Sequence, residues 1–186
     1  MLIPILATAI RLGWLLIEFP KLRRNRITVK QNWDKHSAKL WDVANGIELL
    51  GMVLGFVGIG HIQTAPRVIG LIGLLLLISG IAIRSIAIRT LGKFFTGTVV
   101  IKNDHQLIRT GLYNYLRHPA YTGTLLAHWG LGLAFANWFS LALSSVPFLL
   151  VAMYRMRVEE RALAATFGAE YSSYCETSKR LIPGLY

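Results

Sequence analysis

Charge is scarce in this chain. Asp, Glu, Lys and Arg make up 16% of its 186 residues, against about a quarter in soluble domains, while 54% of it is hydrophobic. That excludes an ordinary water-soluble domain. A single cysteine, Cys175, excludes an internal disulfide framework and a cysteine-rich zinc site. The five histidines show no metal-ligand spacing, so no metal is expected. There is no His-Glu-x-x-His, no Gly-x-Ser-x-Gly and no Walker loop, which leaves hydrolysis and nucleotide cleavage without support. Positive charge is also missing ahead of the first apolar run and clusters after it instead. This is the reverse of a cleavable leader, and the run reads as a retained anchor.

Long apolar runs are what the chain does have. Crossing about 30 Å of hydrocarbon takes roughly 20 helical residues. Stretches near Met1–Phe19, Val43–His61, Pro66–Ile83, Tyr121–Phe135 and Phe139–Tyr154 predict an all-α integral membrane protein of about five transmembrane helices, the last two forming a hairpin that turns at Asn137. The 20 basic residues test that count independently. All but Arg11 and Arg67 fall between spans one and two (Lys21, Arg23, Arg24, Arg26, Lys30, Lys35, Lys39), between spans three and four, or after span five. Short basic loops mark the cytoplasmic side, so the N-terminus is expected outside and the C-terminus in the cytoplasm. A positive-inside bias accounts for the net charge of +11 with the bilayer as partner and no nucleic acid. Segment Lys21–Asp42 is polar enough for an interfacial helix or loop.

Within the spans, Gly51 and Gly55 have the spacing of close helix packing rather than of a phosphate loop. Glu48 is expected to pair with Arg84 or Arg89, Arg11 with Glu18 or another helix, and His128 to be packed or hydrogen-bonded.

The remaining polar and aromatic groups gather in Leu91–Pro119 and in the C-terminal tail, which should meet in space. Gly111 predicts a turn, Pro119 the first turn of span four, and Phe167–Tyr171 a helix break that folds the tail back. Arg155 and Glu159, four residues apart, share one helix face. In order along the chain run His105-Gln-Leu-Ile108, Gly111-Leu-Tyr113, Arg117-His-Pro-Ala-Tyr121-Thr-Gly123, Arg155-x-x-x-Glu159-Glu160, Phe167-Gly-x-Glu-Tyr171 and Arg180-Leu-Ile-Pro-Gly-Leu-Tyr186. This second half resembles the isoprenylcysteine carboxyl methyltransferase family, while the first half matches only as generic spans.

The resemblance implies a single membrane methyltransferase domain over 1–186, with scaffold spans in 1–90 and a catalytic half in 91–186. It implies S-adenosylmethionine as cofactor and a cytoplasmic pocket built from the loop before span four and the C-terminal helix. In that pocket His105, Gln106, Leu107, Ile108, Tyr113, His118, Pro119, Ala120 and Tyr121 would bind the cofactor, with Glu159 holding it and Arg155 meeting the acceptor. The acceptor would be a lipophilic or lipidated molecule, with a carboxylate as first choice, and the setting a bacterial inner membrane. An ionised carboxylate needs no general base, which suits the missing triad. Three rivals stay open: an NADPH-dependent sterol-type reductase, a phospholipid or thiol methyltransferase on the same scaffold, and a non-catalytic membrane subunit with a polar path through Arg11, Glu48 and His128.

Overall fold

The computed structural model describes the chain except residues 25–28, 34–36, 103, 183 and 185–186. Arg26 and Lys35 of the first basic cluster, Pro183 and the last two residues of the tail therefore lie outside the described residues, as do the side chains of Lys21, Arg23, Arg24, Lys30 and Lys102.

The elements in chain order are α1 (Leu2–Arg24), β1 (Val29–Asn32), α2 (Ser37–Val57), α3 (Pro66–Leu91), β2 (Val100–Lys102), α4 (Pro119–Ala134), α5 (Trp138–Phe167) and α6 (Ala169–Thr177). Two 3-10 turns lie at Gly92–Phe94 and Gly111–Asn114. Helices therefore form at all five expected places. Among the described residues three helices, not five, are long and apolar enough to cross a membrane: Ser37–Val57, Pro66–Phe94 and Trp138–Phe167. The 16 residues of α4 reach only about 24 Å at 1.5 Å per residue.

Helix ends differ from the apolar runs at α2, α3 and α5. α2 begins six residues before the apolar run because its polar first turns are put to use: Ser37 accepts from Arg155, and Trp41 packs edge-on against Phe148. It stops early at Gly58 and Gly60, both at φ +83°. α5 outruns its apolar stretch to Phe167, about 45 Å in all against the roughly 30 Å of a hydrocarbon core. The hairpin turn is as expected. Asn137 caps α5 by accepting from the Ser140 N–H at 3.0 Å, and its side chain donates to the Ile59 carbonyl at 2.7 Å. Pro119 opens α4, and Gly168 at φ +51° separates α5 from α6.

Pairings at the two ends of the bundle set which connections share a side. β1, between α1 and α2, pairs antiparallel with β2, between α3 and α4. At the same end the tail joins the loop before α4, with Leu116 bridging Lys179 and the His118 N–H donating to the Arg180 carbonyl. At the other end His61 bridges Asn137. The tightest seam joins α3 and α4, where glycines meet two turns apart. A Cβ on Gly80 would lie 2.5 Å from the Gly123 carbonyl oxygen, and one on Gly130 would lie 2.7 Å from that of Gly73. α2 also approaches α5 closely, with Gly51 against Leu143 and Gly55 against Ser140, and Gly55 meets Phe135 at the end of α4.

Candidate functional site

One cavity of about 980 Å³ runs from the loop end of the bundle down between the helices, at the large end of ordinary ligand sites. The predicted residues meet on its wall although they lie as far apart in sequence as His105 and Glu159. His105 to Ile108, Tyr113, His118, Ala120, Tyr121, Arg155 and Glu159 all line it. Pro119 is the predicted residue missing from the lining; it is buried as the first residue of α4.

The upper wall is aromatic and hydrogen-bonded into place. The His105 ring lies between Phe94, at 5.2 Å, and Phe167, at 6.0 Å. Tyr113 is buried, and burial together with the nearby Glu159 carboxylate pushes its phenol well above the usual range, so it remains a neutral donor. The Tyr174 hydroxyl donates to the Tyr113 carbonyl at 2.6 Å, which ties α6 to the 3-10 turn. Burial pushes that phenol up to about 12.

Two adjacent carboxylates on α5 face different ways. Glu160, 15% exposed, takes His118 Nε2 at 3.2 Å and Arg180 Nε at 2.9 Å, with Arg117 at 3.5 Å, and so locks the tail and the α4 start onto α5. Glu159, 35% exposed, lines the cavity 3.8 Å from His118 Nδ1. His118 stands at the helix-cap position without capping; its ring packs against Tyr121 and its nitrogens face this acidic pair. Arg155 shares the cavity wall with Glu159 as its spacing implied, but it is buried, and it donates to three neutral oxygens: Tyr121 Oη at 3.2 Å, Ser37 Oγ at 3.0 Å and the Gly97 carbonyl at 2.9 Å. It lies over the Trp41 ring at 5.7 Å.

The deep end corrects the expected pairing of Glu48. Its carboxylate takes Arg11 Nε at 3.1 Å and His128 Nδ1, not Arg84 or Arg89. Arg84 instead pairs with Glu18 and donates to Thr124 Oγ1 at 2.8 Å. The cause is helix order: α1 packs on α3 and α4, which brings Arg11 and Glu18 to the bundle interior. Arg11, Glu18, Arg84 and His128 all line the cavity, so its wall is drawn from both halves of the chain.

Sequence reasoning missed Trp14, Trp41, Phe94, Phe95, Tyr171 and Tyr174, which also face the cavity. Tyr171 and Tyr174 stood inside a quoted motif and beside it. The tryptophans sat among apolar residues with nothing local to single them out.

Residues 68–170 match the model of the phospholipid methyltransferase family. Among curated proteins, the protein-S-isoprenylcysteine O-methyltransferase of Saccharomyces cerevisiae is 37% identical over 114 residues, 59% of this chain and 47% of that one. Methanethiol S-methyltransferase 2 of Bradyrhizobium diazoefficiens is 38% identical over 93 residues, 50% of this chain and 34% of that one. The chain spans about half the length, or less, of the curated relatives it matches. Among solved structures, a eukaryotic intramembrane Ras methyltransferase, isoprenylcysteine carboxyl methyltransferase, shares the fold at a TM-score of 0.64, with 24% identity, over 77% of this chain and 52% of that chain.

Proposed function

The chain belongs to the phospholipid methyltransferase family, and from that premise we propose that it moves a methyl group from S-adenosylmethionine to a lipophilic acceptor dissolved in the membrane. The observation that carries this reading is the convergence of His105, Tyr113, His118, Arg155 and Glu159 on one cavity that opens at the loop end and runs into the bundle. A water-soluble donor and a membrane-dissolved acceptor need that geometry. We read 1–186 as one such domain. The matched relatives' names favour a carboxylate acceptor first and a thiol second.

The wall suits such a donor. Glu159, accessible and acidic, is placed to take the cationic amino group or ribose hydroxyls, and the His105–Ile108 strip with its flanking Phe94 offers a stacking surface for a base. S-adenosylmethionine supplies an electrophilic methyl group. The protein's part is orientation and exclusion of water. Arg155 holds loop 97, α2 and α4 together, and a carboxylate acceptor would exchange with one of its neutral oxygens in a bidentate bond. Around this site we propose five membrane helices in a bacterial inner membrane, N-terminus outside. The β1–β2 and Leu116–Lys179 pairings support that topology, since they gather all three basic segments at one end.

Calorimetric titration of detergent-purified protein with S-adenosylhomocysteine and, separately, NADPH tests the reading. S-adenosylhomocysteine should bind saturably, and Glu159→Ala should weaken it by at least about tenfold, the loss of one charge-assisted bond. NADPH binding alone would turn the case to a reductase, and binding of neither to a non-catalytic subunit.

A further inference from the structure

We propose that His128 and Glu48 form a proton-accepting dyad at the deep end of the cavity, and that it lets this site methylate a membrane-dissolved thiol as well as an acceptor that carries no proton. The inference rests on the methyl-transfer reading.

His128 is 1% exposed and lies seven residues beyond Tyr121 on α4, about 10 Å deeper along the helix. Its Nδ1 is joined to Glu48, and its ring stacks on Phe148 at a centroid distance of 3.4 Å, with Trp14 at 5.8 Å on another side. These contacts fix both the plane and the tautomer. With Nδ1–H donated to the carboxylate, Nε2 carries the lone pair of a ring that lines the cavity.

The groups around it are accounted for. Glu48 from α2 is balanced by Arg11 from α1, which also donates to Asn45 Oδ1 at 2.8 Å. Arg84 from α3 is balanced by Glu18, and α5 presents the apolar Phe148. Two closed ion pairs leave the imidazole as the group with a proton site to offer, and a lone pair there calls for a ligand bearing an X–H donor.

An ionised carboxylate needs no base, so the carboxyl reading leaves this dyad without a task. A thiol gives it one. Reference thiols titrate only about two units above imidazole, whereas alcohols lie far beyond its reach. The acceptor S–H bond gives its proton to His128 Nε2 and leaves its electron pair on sulfur. That sulfur forms the new S–CH₃ bond while the sulfonium donor's methyl–sulfur bond breaks, its pair staying on the departing thioether. The proton then leaves His128 for water at the cavity mouth. A purely structural knot pinning α1 to α2 and α4 would use the Arg11–Glu48 pair and leave Nε2 indifferent to ligand.

The experiment uses ¹⁵N-histidine-labelled full-length protein in detergent, saturated with S-adenosylhomocysteine and titrated with 1-dodecanethiol or with dodecane. The His128 resonance is assigned by its loss in His128→Gln or, should that variant fail to fold, in His128→Asn. The Nε2 signal should shift saturably with the thiol and stay fixed with dodecane. In turnover with S-adenosylmethionine, kcat/KM for dodecanethiol should rise with pH through the imidazole range and level off. Glu48→Gln should displace that limb and lower kcat by about a hundredfold. An unmoved Nε2 signal, or a pH profile unchanged in Glu48→Gln, would overturn the dyad. Failure of the unmodified protein to bind S-adenosylhomocysteine would overturn the methyl-transfer reading instead.

Discussion

Arg155 gathers three elements with one side chain: its nitrogens reach the Tyr121 hydroxyl on α4, the Ser37 hydroxyl on α2 and the Gly97 carbonyl in the loop before β2. Lysine would keep the charge but present it from a single point, which cannot span that fork. Arg155→Lys should therefore lower kcat by at least about tenfold through lost orientation, while S-adenosylhomocysteine affinity measured by calorimetry stays within about twofold. Unchanged turnover would remove Arg155 from the mechanism. At this scale much of the site was legible. The i, i+4 spacing put Arg155 and Glu159 on one face, and one cavity wall holds both. Spacing alone did not say which of Glu159 and Glu160 faces the cavity, because adjacent residues on a helix point about 100° apart and only the neighbours decide which side is cavity; the resemblance chose Glu159, which does line it. Here His118, Arg117 and Arg180 claim Glu160.

The helices come close where side chains are missing. Gly73 and Gly80 of α3 meet Gly130 and Gly123 of α4 with backbone against backbone, and the seam carries α4, with His118, Tyr121 and His128, at a fixed rotation toward the cavity. Gly80→Ala should cost about 1–3 kcal/mol by overpacking and lower the thermal midpoint in detergent. Gly46→Ala makes the matching control, because a Cβ there meets nothing within 4 Å and helix propensity alone favours alanine. Equal midpoints for the two variants would show the seam to be loose. The hairpin at Asn137, the start at Pro119 and the break at Gly168 were all readable, since caps and φ preferences are local. The polar beginning of α2 was not, since a tertiary partner holds it.

The molecule as a whole has two unlike ends, one tied by β1–β2 and by the tail's bridge to Leu116, the other by His61 and Asn137. Most basic residues gather at the first end, where the cavity rim also lies, so the donor should enter from the cytoplasm. Replacing Cys175 and then placing single cysteines at Lys93, whose side chain is 68% exposed, or at Arg67 beside the opposite turn, tests the orientation. A membrane-impermeant thiol reagent applied to intact cells should label Arg67→Cys and spare Lys93→Cys. The reverse pattern would invert the topology.

Sequence alone determined the apolar helices, the basic end and the breaks between elements, each from composition or from spacings within a few residues, which a helix converts directly into a face. The residues that line the upper cavity were picked out by the resemblance of the second half to a known family. Only the tertiary structure decided that Arg11 joins Glu48 and His128 while Glu18 joins Arg84, and that Trp14 and Trp41 help wall the cavity. Those choices follow from which helices pack together and how each is turned about its axis, and that geometry is written in the glycine seams between helices rather than in any single stretch of chain.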